Sequence, residues 1–301
     1  MAASSTSAAS GISDWEEVVD THTAGGQRFS GLRVAVSRAQ RCGLIELSRP
    51  GKMNALSATC WLELPRAAAL LSSRDDIRVV LLTGAGRHFC SGIDVGMLVD
   101  VAQLTSGGGC PGESRMALKQ QVQQMQESFT AFERCRWPVV AAIQGACIGA
   151  GINLAAACDI RLCSHDAVFS VKEIHLGITA DIGILQRLGP LVGHGVAAEW
   201  SLTARKVTGK EAMQRGFVAE CYESQEGLMK GVVDMVQELA SKPKLAIIGT
   251  KRILLHARDH TVTEGLDYVA TWNSAFLPSD DLDRALKQTL ARVSKQNSSK
   301  L

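Results

Sequence analysis

The sequence predicts an α/β domain with a helical C-terminal region. Three observations carry that expectation. Short apolar, β-branched runs end at glycines; segments with helical periodicity alternate with them; and the last third of the chain is nearly all helical in pattern. No low-complexity linker separates the parts, so a single domain with appended helices is simpler than two independent domains. With 301 residues, 46% of them hydrophobic and 5% aromatic, the chain can bury a sizeable and mainly aliphatic core.

The elements follow in order. Residues 1–28 open with MAASSTSAASGISDWEE, rich in Ser and Ala, without Arg, and acidic in its first charges; a presequence would be basic and amphipathic, so this reads as a flexible tail. LRVAVSRAQRCGLIELSRP reads as two strands about a turn at Arg41-Cys42-Gly43. RPGKMNALS is a loop broken by Pro and Gly, and SATCWLELPRAAALLSSRDD is a helix begun by a Ser or Thr cap and limited or kinked at Pro65. IRVVLLTGAG is a buried strand stopped by glycines, and RHFCSGIDVGMLVD a turn leading into a short helix. TSGGGCPGE, residues 105–113, reads as a mobile loop, and Met116 to Arg134 as a helix. WPVVAAIQGAC gives another buried strand, followed by a helix INLAAACD, strands IRLCS and VFSVKEI, and a helix starting near Asp181. These set a core over 29–225 and a helical region over 226–298.

Composition narrows the function. Lys and Arg total 32 against 30 Asp and Glu, a net charge of +2 with no long basic run, so nucleic acid is not expected as a partner. No apolar stretch reaches the length of a membrane span. Nine cysteines without a C-x-x-C pair suggest neither a disulfide framework nor a zinc site, and no metal is expected. Cys158 and Cys163 read as buried thiols. The last three residues, Ser299-Lys300-Leu301, spell the tripeptide read by the peroxisomal import receptor, which points to a peroxisomal location.

The chemistry concentrates in GACIGAGINLAAACDIRLCSHDAVFSVKEIHLGITADIGILQR, residues 145–187. A strand that passes through a glycine-rich turn into a helix leaves backbone N–H groups free at the helix start, where they favour negative charge. The spacing fits neither a Walker loop nor a dinucleotide fingerprint. FCSGID makes a second such turn, with the Ser91 and Gly92 amides in it; two turns offering one N–H each can hold a developing enolate oxygen. Glu173 and Asp181 are the two carboxylates that follow. Asp181 suits a helix cap as well as an acid, whereas a lone carboxylate on an apolar strand, as Glu173 is here, requires a role or a partner. Asn153 can neither take nor give a proton and suits a cap, or a hydrogen bond to Glu173 or to a water.

Several spaced motifs in one order, LSRPGKMNALS, GAGRHFCSGID, PVVAAIQGACIGAGINLAAACDIR and LQRL, resemble the enoyl-CoA hydratase/isomerase (crotonase) superfamily from about Leu32 onward. The resemblance implies a spiral of ββα units, with C-terminal helices that drive assembly into a homotrimer or homohexamer. It also implies a fatty acyl-CoA substrate, with coenzyme A as part of it and no separate cofactor. By the same resemblance, the amides of Ser91 and Ala150 form the oxyanion hole, and Gly92, Ile93, Asp94, Gly151 and Asn153 line the substrate. Arg49, Lys52 and Ala55 lie where CoA would bind. Hydratases of this superfamily use two glutamates; Asn153 stands at the first of those positions and Glu173 at the second. Glu173 with Asp181 resembles the dienoyl-CoA isomerase branch, which moves a 3,5-diene to a 2,4-diene, although that branch typically carries aspartate at position 153. A Δ3-Δ2-enoyl-CoA isomerase, a hydratase-like protein and a catalytically silent acyl-CoA binder remain as alternatives.

Overall fold

The strands expected from uninterrupted apolar runs are those buried on both faces, as a parallel sheet requires. The computed structural model describes residues 12–20, 26, 28–97 and 110–298. The chain divides into two units, residues 1–240 and 241–301.

In the first unit, strands β1 (Glu16–Glu17), β2 (Leu32–Ser37), β3 (Cys42–Leu47), β4 (Val79–Gly84), β5 (Val139–Ile143), β7 (Ile160–Ser164) and β10 (Glu220–Tyr222) form a seven-stranded sheet in that order. β2 and β3 make an antiparallel hairpin, and each strand from β3 onward is parallel to the next. β3, β4 and β5 are buried at every residue. A smaller sheet holds β6 (Ala146–Ile148), β8 (Val168–Ser170) and β9 (Val207–Thr208). Isolated parallel bridges, Leu56 to Ile93 and Cys90 to Cys147, extend that second layer. Successive turns of chain thus place one strand in the large sheet and one short extended segment in the small one, followed by a helix. This is the ββα repeat.

The helix Gln225–Ala240 buries Leu228, Met229, Val232 and Val236 against Leu44, Val79, Leu81, Val140 and Ala142 of the large sheet. It therefore belongs to the first unit, and the boundary falls after Ala240 rather than at 226. Ile12 joins the same core, β1 pairs with β2, and Asp20 is ion-paired to Arg66 at 3.0 Å. Residues 12–20 are accordingly docked structure, against the expectation of a tail over 1–28. The second unit consists of the helices Lys244–His256, Val262–Phe276 and Asp280–Ser298. Residues 299–301 and 105–109 lie outside the described residues.

Other departures have local causes. The helix Ala58–Ser73, capped by the Ser57 side chain, continues past Pro65 rather than ending there. Proline removes the N–H that Trp61 O would receive, and the Ser128 hydroxyl lies 2.9 Å from that oxygen instead, with Gln124 O at 3.0 Å. Ser128→Ala is expected to lower unfolding stability by about 1 kcal/mol through the orphaned carbonyl. Denaturant titration should show a smaller loss in a Pro65→Ala background, where the N–H returns. The helix Pro111–Arg134 begins five residues earlier than expected, taking in Pro111–Glu113, because proline suits a first helical position. Residues 95–97 are helical, where a short helix is expected after FCSGID; residues 98–109 lie outside the described residues.

Candidate active site

Three glycines let two turns approach until their backbones touch. Gly92 has φ +109°, and a Cβ there would meet Ile148 O at 3.1 Å and Ala150 N at 3.7 Å. Gly149 has φ +55°, and a Cβ would sit 3.8 Å from Gly92 Cα and 4.0 Å from Glu173 Oε1. At Gly151 a Cβ would fall 2.5 Å from Cys90 O. A methyl group at 151 has no room, and side chains at 92 and 149 are opposed by the left-handed backbone as well. The turns are held in register by Cys90 N–H donating to Ala146 O and Ile148 N–H donating to Cys90 O, both at 2.9 Å.

This geometry corrects one expected donor. The Ser91 N–H is already spent on Met53 O at 3.0 Å. Two residues on, the bridge to Leu56 uses Gly92 O as acceptor and Asp94 N–H as donor, at 2.8 and 2.9 Å. Because amides alternate along an extended segment, the Ile93 N–H points the other way; it finds no acceptor among the described residues. Ala150 opens the helix Ala150–Ala156, so its N–H is one of the amides a helix leaves unpaired at its start. The available pair is Ile93 and Ala150, not Ser91 and Ala150.

The carboxylates are also placed differently from expectation. β8 ends at Ser170, and Glu173 begins a single 3₁₀ turn, Glu173–Leu176, closed by Gly177 at φ +72°. Asp181 is not a cap: the helix is Ile184–Val192, its cap residue is Gly183, and its first N–H is received by Asn153 Oδ1 at 2.8 Å. Glu173 is 6% exposed. Its Oε1 accepts from Asn153 Nδ2 at 2.8 Å, while its Oε2 is buried with no hydrogen-bond partner. Burial pushes the Glu173 pKa up; its own backbone N–H and Asn153 oppose that, and the Asp181 charge adds to it. Asp181 is likewise raised by burial of its carboxyl, opposed by its own backbone N–H. The residue is nevertheless exposed, so solvent screens its carboxyl and the rise is small at most. Of the three isoleucines flanking it, Ile182 and Ile184 are buried and Ile178 is exposed.

The Asp181 turn is fastened to the helix Pro111–Arg134, a role the sequence did not reveal. Gln126 Nε2 donates to Asp181 O at 2.6 Å. Arg187 donates to Ile182 O at 3.2 Å and pairs with Glu133 at 2.7 Å, both side chains largely buried. Arg187 Nη1 lies 2.0 Å from where a Gly183 Cβ would stand, which explains glycine there.

The loop before the first helix is committed to structure. Arg49 pairs with Asp94 at 2.9 Å and donates to Ala55 O, and it holds the Asp94 carboxyl below its usual range. Arg49 and Asp94 therefore tie the loop to the Gly92 turn rather than standing free for a substrate; Lys52 is the exposed cation of that loop. Asn54, at φ +55°, donates to Ala85 O and His88 O at 2.9 and 2.7 Å and so fixes the neighbouring Met53 carbonyl that occupies Ser91. The buried thiols of Cys42 and Cys90 are pushed up to about 12 by desolvation, consistent with cysteines that act as small hydrophobes.

Residues 38–293 match the model of the enoyl-CoA hydratase/isomerase family. The chain is 46% identical to the peroxisomal Delta(3,5)-Delta(2,4)-dienoyl-CoA isomerase of Arabidopsis thaliana over 82% of its own length and 88% of that protein's. It is 38% identical to the mitochondrial Delta(3,5)-Delta(2,4)-dienoyl-CoA isomerase of Homo sapiens, covering 87% and 79%. A Thermobifida fusca protein of the enoyl-CoA hydratase type, solved with acetoacetyl-CoA, superposes with a TM-score of 0.72 at 32% identity, over 82% of this chain and 94% of that one.

Proposed function

Because the chain belongs to the enoyl-CoA hydratase/isomerase family, we propose that it isomerises a 3,5-dienoyl-CoA to the conjugated 2,4-dienoyl-CoA in fatty-acid β-oxidation. The observation that carries this reading is the buried carboxylate of Glu173 beside the meeting point of two glycine turns, with a second raised carboxylate, Asp181, in the segment that follows. Asn153, hydrogen-bonded to Glu173, is unable to act as a second base.

The thioester oxygen is received by the Ile93 and Ala150 amides, which stabilise negative charge as it develops there. Glu173, ionised, takes a proton from C2. The C2–H electron pair becomes the C1–C2 double bond of an enolate conjugated with both alkenes, so charge reaches C6. Asp181, protonated, delivers its proton to C6, leaving double bonds at C2 and C4. Each acid ends in the other's starting state, and exchange with solvent resets them. A raised pKa suits the acid, because Asp181 must begin protonated, and a raised pKa makes Glu173 a stronger base. Proton transfer and charge stabilisation suffice for this shift, so we assign no cofactor beyond the coenzyme A of the substrate.

The relatives include a peroxisomal and a mitochondrial protein. The Ser299-Lys300-Leu301 terminus supports the peroxisome for this chain, through the import receptor that reads it. Exposed apolar side chains in the C-terminal helices, among them Leu254, Val262, Leu266 and Leu290, support assembly into a trimer or hexamer.

The test is ultraviolet absorbance of a 3,5-dienoyl-CoA mixed with purified protein. Growth of the 2,4-dienoyl thioester band is the expected result. A flat trace with turnover of a 3-enoyl-CoA selects a Δ3-Δ2 isomerase; binding without any turnover selects a silent acyl-CoA protein.

A further inference from the structure

Asn153 is fully buried, and its amide is used on both sides. Nδ2 donates to Glu173 Oε1 and to Gly149 O, each at 2.8 Å, and Oδ1 accepts from Ile184 N–H at 2.8 Å. The two backbone partners fix the orientation of the amide, since Ile184 N–H can only donate and Gly149 O can only accept. One side chain therefore joins the turn that presents the Ala150 amide, the carboxylate of Glu173 and the start of the helix that follows Asp181.

We propose that Asn153 is a positioning residue that reserves Oε1 of Glu173 for its own N–H and leaves Oε2 as the one atom of that carboxylate that exchanges protons with the substrate. The inference rests on the isomerase reading above. An amide donor cannot be titrated away, so Oε1 stays hydrogen-bonded whatever the state of Glu173. Oε2, buried and without a partner, is the atom left to gain and lose the proton.

An aspartate at this position has a different consequence. It would still accept from Ile184 N–H, but its other oxygen would face Glu173 Oε1 and Gly149 O at hydrogen-bonding distance with no hydrogen between them. The arrangement holds only if the two carboxyls share a proton, which Glu173 must lose before it can act as a base. The other groups around Glu173 do not supply a competing charge. The helix Ala150–Ala156 and strand β8 carry no ionisable side chain, and Arg187 on the following helix is turned to Glu133. Asp181 raises Glu173; Lys172 and His175 are its neighbours in sequence; and on the packed helix His194–Thr203 the ionisable residues are His194 and Glu199, the latter paired with Arg205.

The experiment compares wild type, Asn153→Asp and Asn153→Ala by the pH profile of kcat/KM on a 3,5-dienoyl-CoA. Direct titration of the Glu173 carboxyl by ¹³C NMR on glutamate-labelled protein, assigned with Glu173→Gln, accompanies it. Because the base must be ionised, the acidic limb reports it. In Asn153→Asp the limb and the NMR midpoint are expected to move up together by about one pH unit or more. Asn153→Ala, which removes the donor, should also raise the NMR midpoint. Curves that superpose on wild type in a folded variant overturn the proposal. Should wild type not turn over the diene, the isomerase reading fails while the NMR titration still decides what Asn153 does to Glu173.

Discussion

Glu173→Gln is expected to lower turnover of a 3,5-dienoyl-CoA by about 10²- to 10⁴-fold, the range for loss of a positioned general base, without unfolding the protein. Glutamine keeps the shape, and its carbonyl oxygen can still accept from Asn153, so the Asn153–Gly149–Ile184 connections survive. The stability effect should have the opposite sign to the effect on activity. Burial raises the folded-state pKa of Glu173 above its ordinary value of 4.5. The folded protein therefore binds a proton that the unfolded chain has released, and this stabilisation is complete below pH 4.5 and is lost as pH rises through the folded pKa. The variant lacks that loss. Thermal melts across the range should show a Glu173→Gln protein as stable as wild type or more so near neutral pH, with a weaker dependence on pH above 4.5. A variant that keeps its rate removes Glu173 from the mechanism. One that loses both rate and stability recasts Glu173 as a structural partner of Asn153.

What could be read from the sequence was whatever depends on residue type along one segment. The buried strands declared themselves as apolar runs, and the glycines of both turns signalled close approach, which the clearances at positions 92, 149 and 151 explain. Glu173 and Asn153 were singled out by chemistry alone: a carboxylate and an amide in apolar surroundings. What could not be read depends on segments distant in sequence. Ser91 and Ile93 are alike as backbone donors until Met53 is seen to occupy one of them, and Met53 is in place because Asn54 grips residues 85 and 88. Pro65 looks like a helix stop because proline orphans the Trp61 carbonyl; the hydroxyl of Ser128, 67 positions from Trp61 in the chain, donates to it. Asp181 resembles a cap because its own helix needs one, and the cap comes from Asn153 instead. In each case a local rule was met by a remote group. The Pro–Gly break of the first loop marked a turn, but not that Asn54 adopts positive φ and is held there by its own side chain.

Asp181→Asn separates the two ends of the proposed shift. Without a proton donor at C6 the diene cannot finish moving, and conversion of 3,5- to 2,4-dienoyl-CoA should fall by about 10²- to 10⁴-fold. Glu173 and the Ile93 and Ala150 amides do not depend on that donor, so removal of the C2 proton should persist. Incubation of the substrate with the variant in D₂O, followed by mass spectrometry, is expected to show deuterium entering at C2 of recovered 3,5-dienoyl-CoA while the conjugated product fails to accumulate. The substitution is mild for the fold, because the fastenings of this turn are to the Asp181 and Ile182 carbonyls and leave the carboxyl itself untouched. Full isomerase activity in Asp181→Asn would reduce the mechanism to one carboxylate and return Asp181 to the surface of the turn. Loss of exchange together with loss of conversion would mean that the two acids act as one unit, with the proton at C6 required before C2 can be opened.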